Sequence, residues 1–253
     1  MNRFILSPSF LDQTVSALNS LAKSDWLINS PVLPEGSQQS RMSTVHHSLA
    51  DLVARTIAMG QRPVSLAGDC CTAIGVLAGL QRAGINPSLI WFDAHGDFNT
   101  WETSPSGFLG GMPLAMIVGR GDQTMTAAAG LKPLPEDQVI LTDGRDLDAA
   151  ERASVEQSAI VHLTQVAGLL EHTLPAGPIY VHFDTDVVSL DESPAHNYPA
   201  AGGPSASVVQ SVFNRLARSG RVAAVSLSAW NPELDNARRS EDVSMALLYT
   251  LVG

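Results

Sequence analysis

The stretch Ser88-Leu-Ile-Trp-Phe-Asp-Ala-His-Gly-Asp97 decides the fold, because an apolar run stops abruptly on residues that bind metals. A second stretch, Ile179-Tyr-Val-His-Phe-Asp-Thr-Asp186, does the same. In an extended chain alternate side chains point the same way, so Asp93, His95 and Asp97 converge on one spot, as do Asp184 and Asp186. Four carboxylates packed side by side repel one another unless positive charge sits between them, and two divalent cations are the usual remedy. The pattern reads as a dinuclear metal site. An Asp pair at a strand end also serves as a cap or turn signal, but two such endings in one chain favour the metal.

Working outward, short β-branched or aromatic runs recur with helical stretches between them, the βα alternation of a parallel sheet. The spacing predicts strands over Arg3–Leu6, Pro63–Ala67, Ser88–Asp93, Gln138–Thr142, Ala159–Leu163, Ile179–Asp184 and Val222–Ser228. Apolar residues every three or four positions predict helices over Ser43–Met59, Cys71–Arg82, Ser205–Ser219 and Glu241–Leu251, with Ser205 and Ser207 as caps and Gly84 and Gly220 as stops. Ligands of open parallel sheets gather beyond the carboxyl ends of the strands, where both acidic clusters lie. A third strand end joins them. Val64-Ser-Leu-Ala67 leads through Gly68-Asp69 to Cys70, a sixth candidate ligand whose plainer reading is a small buried hydrophobe.

A chain of 253 residues without linker, low-complexity stretch or internal repeat fits one α/β domain spanning 1–253. The formal charge of -10, with only 15 Lys and Arg, argues against nucleic acid and for a small-molecule partner. Cys70 and Cys71 are adjacent and form no disulfide framework; with no leader-like segment and no apolar run near membrane-spanning length, the expected setting is cytoplasmic and away from membranes.

Gly68-Asp-Cys70, Trp91-Phe-Asp-Ala-His-Gly-Asp-Phe-Asn-Thr100 and Phe183-Asp-Thr-Asp186 resemble the ureohydrolase superfamily of arginase, agmatinase and formimidoylglutamase. Those enzymes carry Gly-Asp-His, Asp-Ala-His-x-Asp and Phe-Asp-x-Asp in this order, and the likeness runs from Gly68 to Pro232. It implies an α/β fold, a three-layer α/β/α sandwich with a central, mainly parallel sheet, and a pair of divalent metal ions, Mn²⁺ by habit. One ion would be held by Cys70, Asp93, Asp97 and Asp184, the other by Asp93, His95, Asp184 and Asp186. The implied reaction is hydrolysis of a C–N bond at a planar guanidinium or amidine carbon, with Asp97 relaying a proton to the departing amine. Asp148 and Glu151 match positions that receive a substrate α-ammonium, Asn99 and Ser106 those that contact its α-carboxylate. The implied partner is therefore a guanidino amino acid, while assembly into a homo-oligomer stays open.

Four departures stand out. Cys70 replaces a metal-binding His, and a thiolate leaves Zn or Fe(II) open beside Mn²⁺. Gly110 replaces a proton-shuttling His. Ala229 replaces a Glu that grips the guanidinium, removing a charge-assisted contact of about 1.5 to 3 kcal/mol. Ser189 and Leu190 replace an Asp-Pro and alter only the turn. The Cys-for-His exchange and the segment Gly110-Gly-Met112 resemble the branch that cleaves Nω-hydroxy-L-arginine to hydroxyurea and L-ornithine in antibiotic biosynthesis. A hydroxyguanidine is less basic than a guanidine, so it relies less on the missing groups.

Of the remaining histidines, His46, His47, His162 and His172 read as surface or packing residues. His182 shares a strand face with Asp184, and His196 falls in the loop after the second cluster, within reach of a shuttle role. A haloacid-dehalogenase-type phosphatase would also open on a strand and Asp-x-Asp, but the 67 residues after Asp186 contain no lysine. Arginase or formimidoylglutamase activity, or a catalytically silent metal-binding relative, are the alternatives that survive.

Overall fold

The computed structural model describes residues 1–228 and 230–253. Its strands are β1 (Asn2–Ser7), the short hairpin pair β2 (Ser9–Phe10) and β3 (Gln13–Thr14), β4 (Leu27–Ile28), β5 (Arg62–Ala67), β6 (Ser88–His95), β7 (Val139–Asp146), β8 (Val161–Leu163), β9 (Ile179–Asp184) and β10 (Val222–Ser228). Eight of them form one sheet in the order β4-β1-β5-β10-β9-β6-β7-β8, and every pairing in it is parallel. The central strands β6 and β9 are buried along nearly their whole length and largely apolar because both sheet faces are covered, as parallel sheets require.

The helices are α1 (Gln38–Ala58), α2 (Ala73–Arg82), α3 (Pro113–Ile117), α4 (Thr124–Ala129), α5 (Ala149–Glu156), α6 (Ala206–Arg218) and α7 (Arg239–Val252). One face packs Ile5, Leu89, Trp91, Leu141 and Tyr180 against α1 to α5. The other packs Leu66, Ile90, Phe92, Val181, Phe183 and Val225 against α6 and α7. There Phe213 of α6 presents its ring edge-on to Phe92 and Phe183, with centroids 5.0 Å away in both cases. Alternation along each strand thus splits the core into two layers, and the three-layer α/β/α sandwich expected from the sequence is the observed fold.

Where boundaries differ from expectation, local chemistry explains them. Helix α1 starts five residues before Ser43, because the Ser37 hydroxyl caps it by accepting from the Ser40 N–H at 3.2 Å. Strand β7 runs past Thr142 because a bulge absorbs one residue opposite Ala94: Asp93 pairs with Asp143, but His95 pairs with Asp146. Helices α3 to α5 and the pairs at β2, β3 and β4 are too short for a periodic signal to reveal. Gly84 and Gly220 end α2 and α6 in the left-handed region, as expected. Among the described residues no helix is long and apolar enough to cross a membrane.

His46 of α1 is buried, and loss of water pulls its pKa down to about 3. The folded state therefore refuses a proton that the unfolded chain accepts near pH 6.5, so this stability is complete above pH 6.5 and drains away as pH falls. Between pH 7 and pH 5 the loss from His46 alone amounts to about 2 kcal/mol. Urea unfolding at both pH values should show the His46→Leu variant losing less stability than the parent by that amount; equal losses would refute the assignment.

Candidate metal centre

The six ligand-type residues are delivered by the carboxyl ends of β5, β6 and β9, which lie within four neighbouring strands of the sheet. Cys70 is set by a tight turn. Gly68 donates its N–H to the Ser9 carbonyl at 2.8 Å, and a Cβ at Gly68 would sit 2.5 Å from that oxygen, so only glycine allows the approach. Asp69 locks the turn by accepting from the backbone N–H groups of Leu11 at 2.8 Å and Cys71 at 2.9 Å. The Cys70 thiol then donates to Asp184 Oδ2 at 2.8 Å and accepts from the Ser228 hydroxyl at 3.0 Å.

At the end of β6, Asp93 is held from two sides: Trp91 Nε1 donates to its Oδ2 at 3.0 Å and the His95 N–H to its Oδ1 at 2.7 Å. The Trp91 ring stacks on His182 at 3.8 Å, and His182 bonds Ser226 Oγ through Nδ1 at 2.7 Å. His182 is thus a buried histidine bonded to a side chain, one layer behind the carboxylates. His95 Nδ1 lies 2.9 Å from Asp186 Oδ2. Asp97 adopts a left-handed backbone (φ 49°), a conformation costing about 1 to 3 kcal/mol in a residue with a side chain. Its carbonyl accepts from Leu114 and Ala115 at the start of α3, which fixes the turn, while its buried Oδ2 has no partner.

Arg145, which sequence reasoning passed over, braces the segment that follows β9. It pairs with Asp143 at 2.7 Å and donates to the carbonyls of Asp186 at 2.9 Å, Val187 at 3.1 Å, Ala200 at 3.2 Å and Ala201 at 3.0 Å. The bulge in β7 turns it there. Those partners are mostly backbone carbonyls from distant segments, which leave no mark on sequence spacing.

Charge repulsion within the cluster is plain. Burial, and then the charge of Asp93, push Asp97 well above the usual carboxylate range; burial and then Asp186 do the same to Asp184. Burial with Asp186 raises Asp93 to about 6, and burial with Asp184 pushes the Cys70 thiol up. Burial alone would lower His95, but hydrogen bonds to Asp186 and Asp93 outweigh it and raise it to about 12. The same contact holds Asp186 down near 2 against its burial. Two sets, Cys70 with Asp93 and Asp97, and Asp93 with His95 and Asp186, each offer ligand atoms within 4.8 Å of one another. A buried donor set of this kind, with an orphaned carboxylate oxygen, fits divalent cations.

The cluster lines a cavity of about 460 Å³. All ten residues singled out from the sequence line it: the six ligands with Asn99, Ser106, Asp148 and Glu151. Asn99 donates to Asp148 Oδ2 at 3.0 Å, Asp148 and Ser106 are exposed, and Glu151 is buried, its two oxygens accepting from the N–H groups of Phe98 at 2.8 Å and Asp148 at 3.2 Å. Glu151 therefore also holds the start of α5. His196 lines the cavity too, with Nε2 3.0 Å from Ser193 Oγ, whereas His162 bonds the Asp143 carbonyl from outside it. Gly110 is at the wall; Ala229 lies outside the described residues.

Set against known proteins, residues 17–253 match the model of the Arginase family. The chain is 30% identical to an arginase of Bacillus subtilis over 220 residues, covering 82% of this chain and 74% of that one. It is also 30% identical to an arginase of Bacillus caldovelox over 225 residues, covering 84% and 75%. Among solved structures, a Bacillus subtilis arginase superposes with a TM-score of 0.87 at 26% identity, over 100% of this chain and 98% of that one. A Bacillus subtilis formimidoylglutamase, at 16% identity and a TM-score of 0.76, shares the fold. The chain belongs to the Arginase family.

Proposed function

We propose that the protein is a dinuclear-metal amidinohydrolase acting on a guanidino-type amino acid, and that its substrate is Nω-hydroxy-L-arginine, split with water into hydroxyurea and L-ornithine. The observation that carries the reading is the presence, in the lining of one cavity, of a Cys, His and carboxylate cluster together with the polar residues Asn99, Asp148 and Ser106. Cys70, Asp93, Asp97 and Asp184 would hold one cation and Asp93, His95, Asp184 and Asp186 the other, with Asp93 and Asp184 shared. Bound there, two divalent ions supply Lewis-acid charge that acidifies water and polarises the amidine carbon. Manganese is the family's habit, and the Cys70 thiolate suits Zn or Fe(II) as well.

The protein's own groups do the rest. Asp148 receives the α-ammonium, with Glu151 holding the backbone beneath it, and Asn99 and Ser106 receive the α-carboxylate. Asp97, whose Oδ2 has no partner, takes the proton of the attacking water and returns it to the departing nitrogen as the C–N bond breaks. Either substrate releases the same ornithine amine, whose protonation falls to Asp97 because this chain has glycine at position 110. A hydroxyguanidine is closer to neutral before it reacts, so it relies less on charge-assisted contacts to the guanidinium. His196 on the cavity wall, rather than Gly110, is the remaining imidazole within the pocket besides His95, among the described residues.

The manganese-loaded protein should hydrolyse hydroxyarginine with a higher kcat/KM than arginine, agmatine, guanidinobutyrate or formimidoylglutamate. Faster arginine turnover would replace the substrate assignment, and no turnover of any of them would mark a catalytically silent relative. Asp97→Ala should cut kcat by about 10²- to 10⁴-fold while the protein stays folded.

Trp91→Phe leaves an aromatic ring beside His182 but removes the N–H to Asp93 together with part of the buried indole. It should weaken metal affinity by about 10- to 100-fold, as loss of a hydrogen bond to a ligating carboxylate does. Calorimetric titration with Mn²⁺ reads this directly, and an unchanged affinity would show that Trp91 only packs.

A further inference from the structure

The carboxylate of Glu151 lies against the backbone between two of the residues of the metal centre. A Cβ built on Gly96, which separates His95 from Asp97, would sit 2.6 Å from Glu151 Oε1 and 2.8 Å from its Cδ, so glycine is what lets the carboxylate approach the chain there. From that position each oxygen serves a different segment. Oε1 accepts the Phe98 N–H at 2.8 Å, at the exit of the turn that carries Asp97, and Oε2 accepts the Asp148 N–H at 3.2 Å, at the start of α5. Glu151 is buried, so both bonds are shielded from water. Asn99 closes the circuit by donating its amide N–H to Asp148 Oδ2 at 3.0 Å. The turn bearing His95 and Asp97 and the residue assigned to the substrate α-ammonium are thus fastened to one buried carboxylate, although they leave the sheet on different strands, β6 and β7.

We propose that Glu151 is a positioning residue that couples filling of the metal centre to capture of the substrate's α-ammonium group. This rests on the reading of Asp148 given under the proposed function. The physical ground is shared ordering. Without cations the carboxylates crowded around Asp97 repel one another, and Asp97 itself holds a left-handed backbone that its surroundings must sustain. Cations that fix Asp97 also fix the Phe98 N–H on the next residue and, through Glu151, the Asp148 N–H. An α-ammonium then meets an Asp148 that is already held, and loses less freedom on binding; the same ordering runs in reverse when the amino acid binds first. A glutamate offers an acceptor to both N–H groups at once, whereas the amide of a glutamine would turn its own N–H bonds toward one of them.

The test is calorimetric titration of the full chain with Mn²⁺, with and without saturating L-norvaline, an amino acid whose aliphatic side chain cannot ligate a metal. It is run at about pH 8, above the value of about 7 to which burial pushes Glu151. In the parent, norvaline should lower the Mn²⁺ Kd by about fivefold or more, and Mn²⁺ should lower the norvaline Kd by the same factor. In Glu151→Gln that factor should fall below about two. A residue that only supports the fold would weaken both affinities and leave the factor where it was. Gly96→Ala, whose added methyl group must push Glu151 Oε1 away from the Phe98 N–H, should lose the coupling as well and serves if Glu151→Gln does not fold. Norvaline that binds the parent without changing its Mn²⁺ affinity, or a Glu151→Gln variant that keeps the parent's factor, overturns the proposal and leaves the proposed function standing. Norvaline that fails to bind the parent, or binds Asp148→Ala equally well, removes the reading of Asp148 and the proposal with it.

Discussion

Buried negative charge is the constraint on which everything else here depends. Asp93, Asp97 and Asp186 are each nearly inaccessible, Asp184 is half-buried against the Cys70 thiol, and together they crowd a space that water cannot screen. Proteins tolerate such a group only when protons or cations neutralise it. The cluster answers both ways: His95 stays cationic between Asp93 and Asp186, while burial drives Asp97 and Asp184 toward their protonated forms. Divalent metal ions do the same job with more charge, displacing the protons from the oxygens they bind, which is why the arrangement reads as a metal centre and not as an acidic patch.

The parallel sheet makes this crowding possible. Strand ends at one edge of such a sheet point their last side chains into a shared crevice, and the neighbouring order β5-β10-β9-β6-β7 lines up five of them. β10, in the middle, contributes Ser228 to the thiol; β7 contributes the bulge and Arg145. The apolar bodies of the same strands, packed on both faces, hold the tips within hydrogen-bond tolerance of one another.

Much of this was legible in the sequence because period-two alternation and an abrupt end to an apolar run are local signals. They located Asp93, His95, Asp97, Asp184 and Asp186 on strand tips and predicted the parallel sheet. What stayed hidden depends on distance in the chain. Trp91 reads as one more core aromatic until its N–H is seen on Asp93, and Arg145 reads as a surface charge until its carbonyl partners assemble around it. The Asp148-x-x-Glu151 spacing is a helix-start signature as well as a ligand pattern, and α5 begins there.

The Arg145 brace has one more consequence. Its five hydrogen bonds tie the loop carrying Asp186 to the 200–201 segment through the polypeptide itself, without reference to any ion. The position of Asp186 is thus written twice over, once in the strand that delivers it and once in a guanidinium that gathers four carbonyls from beyond that strand, so a change at residue 145 would be felt at a side chain it never touches.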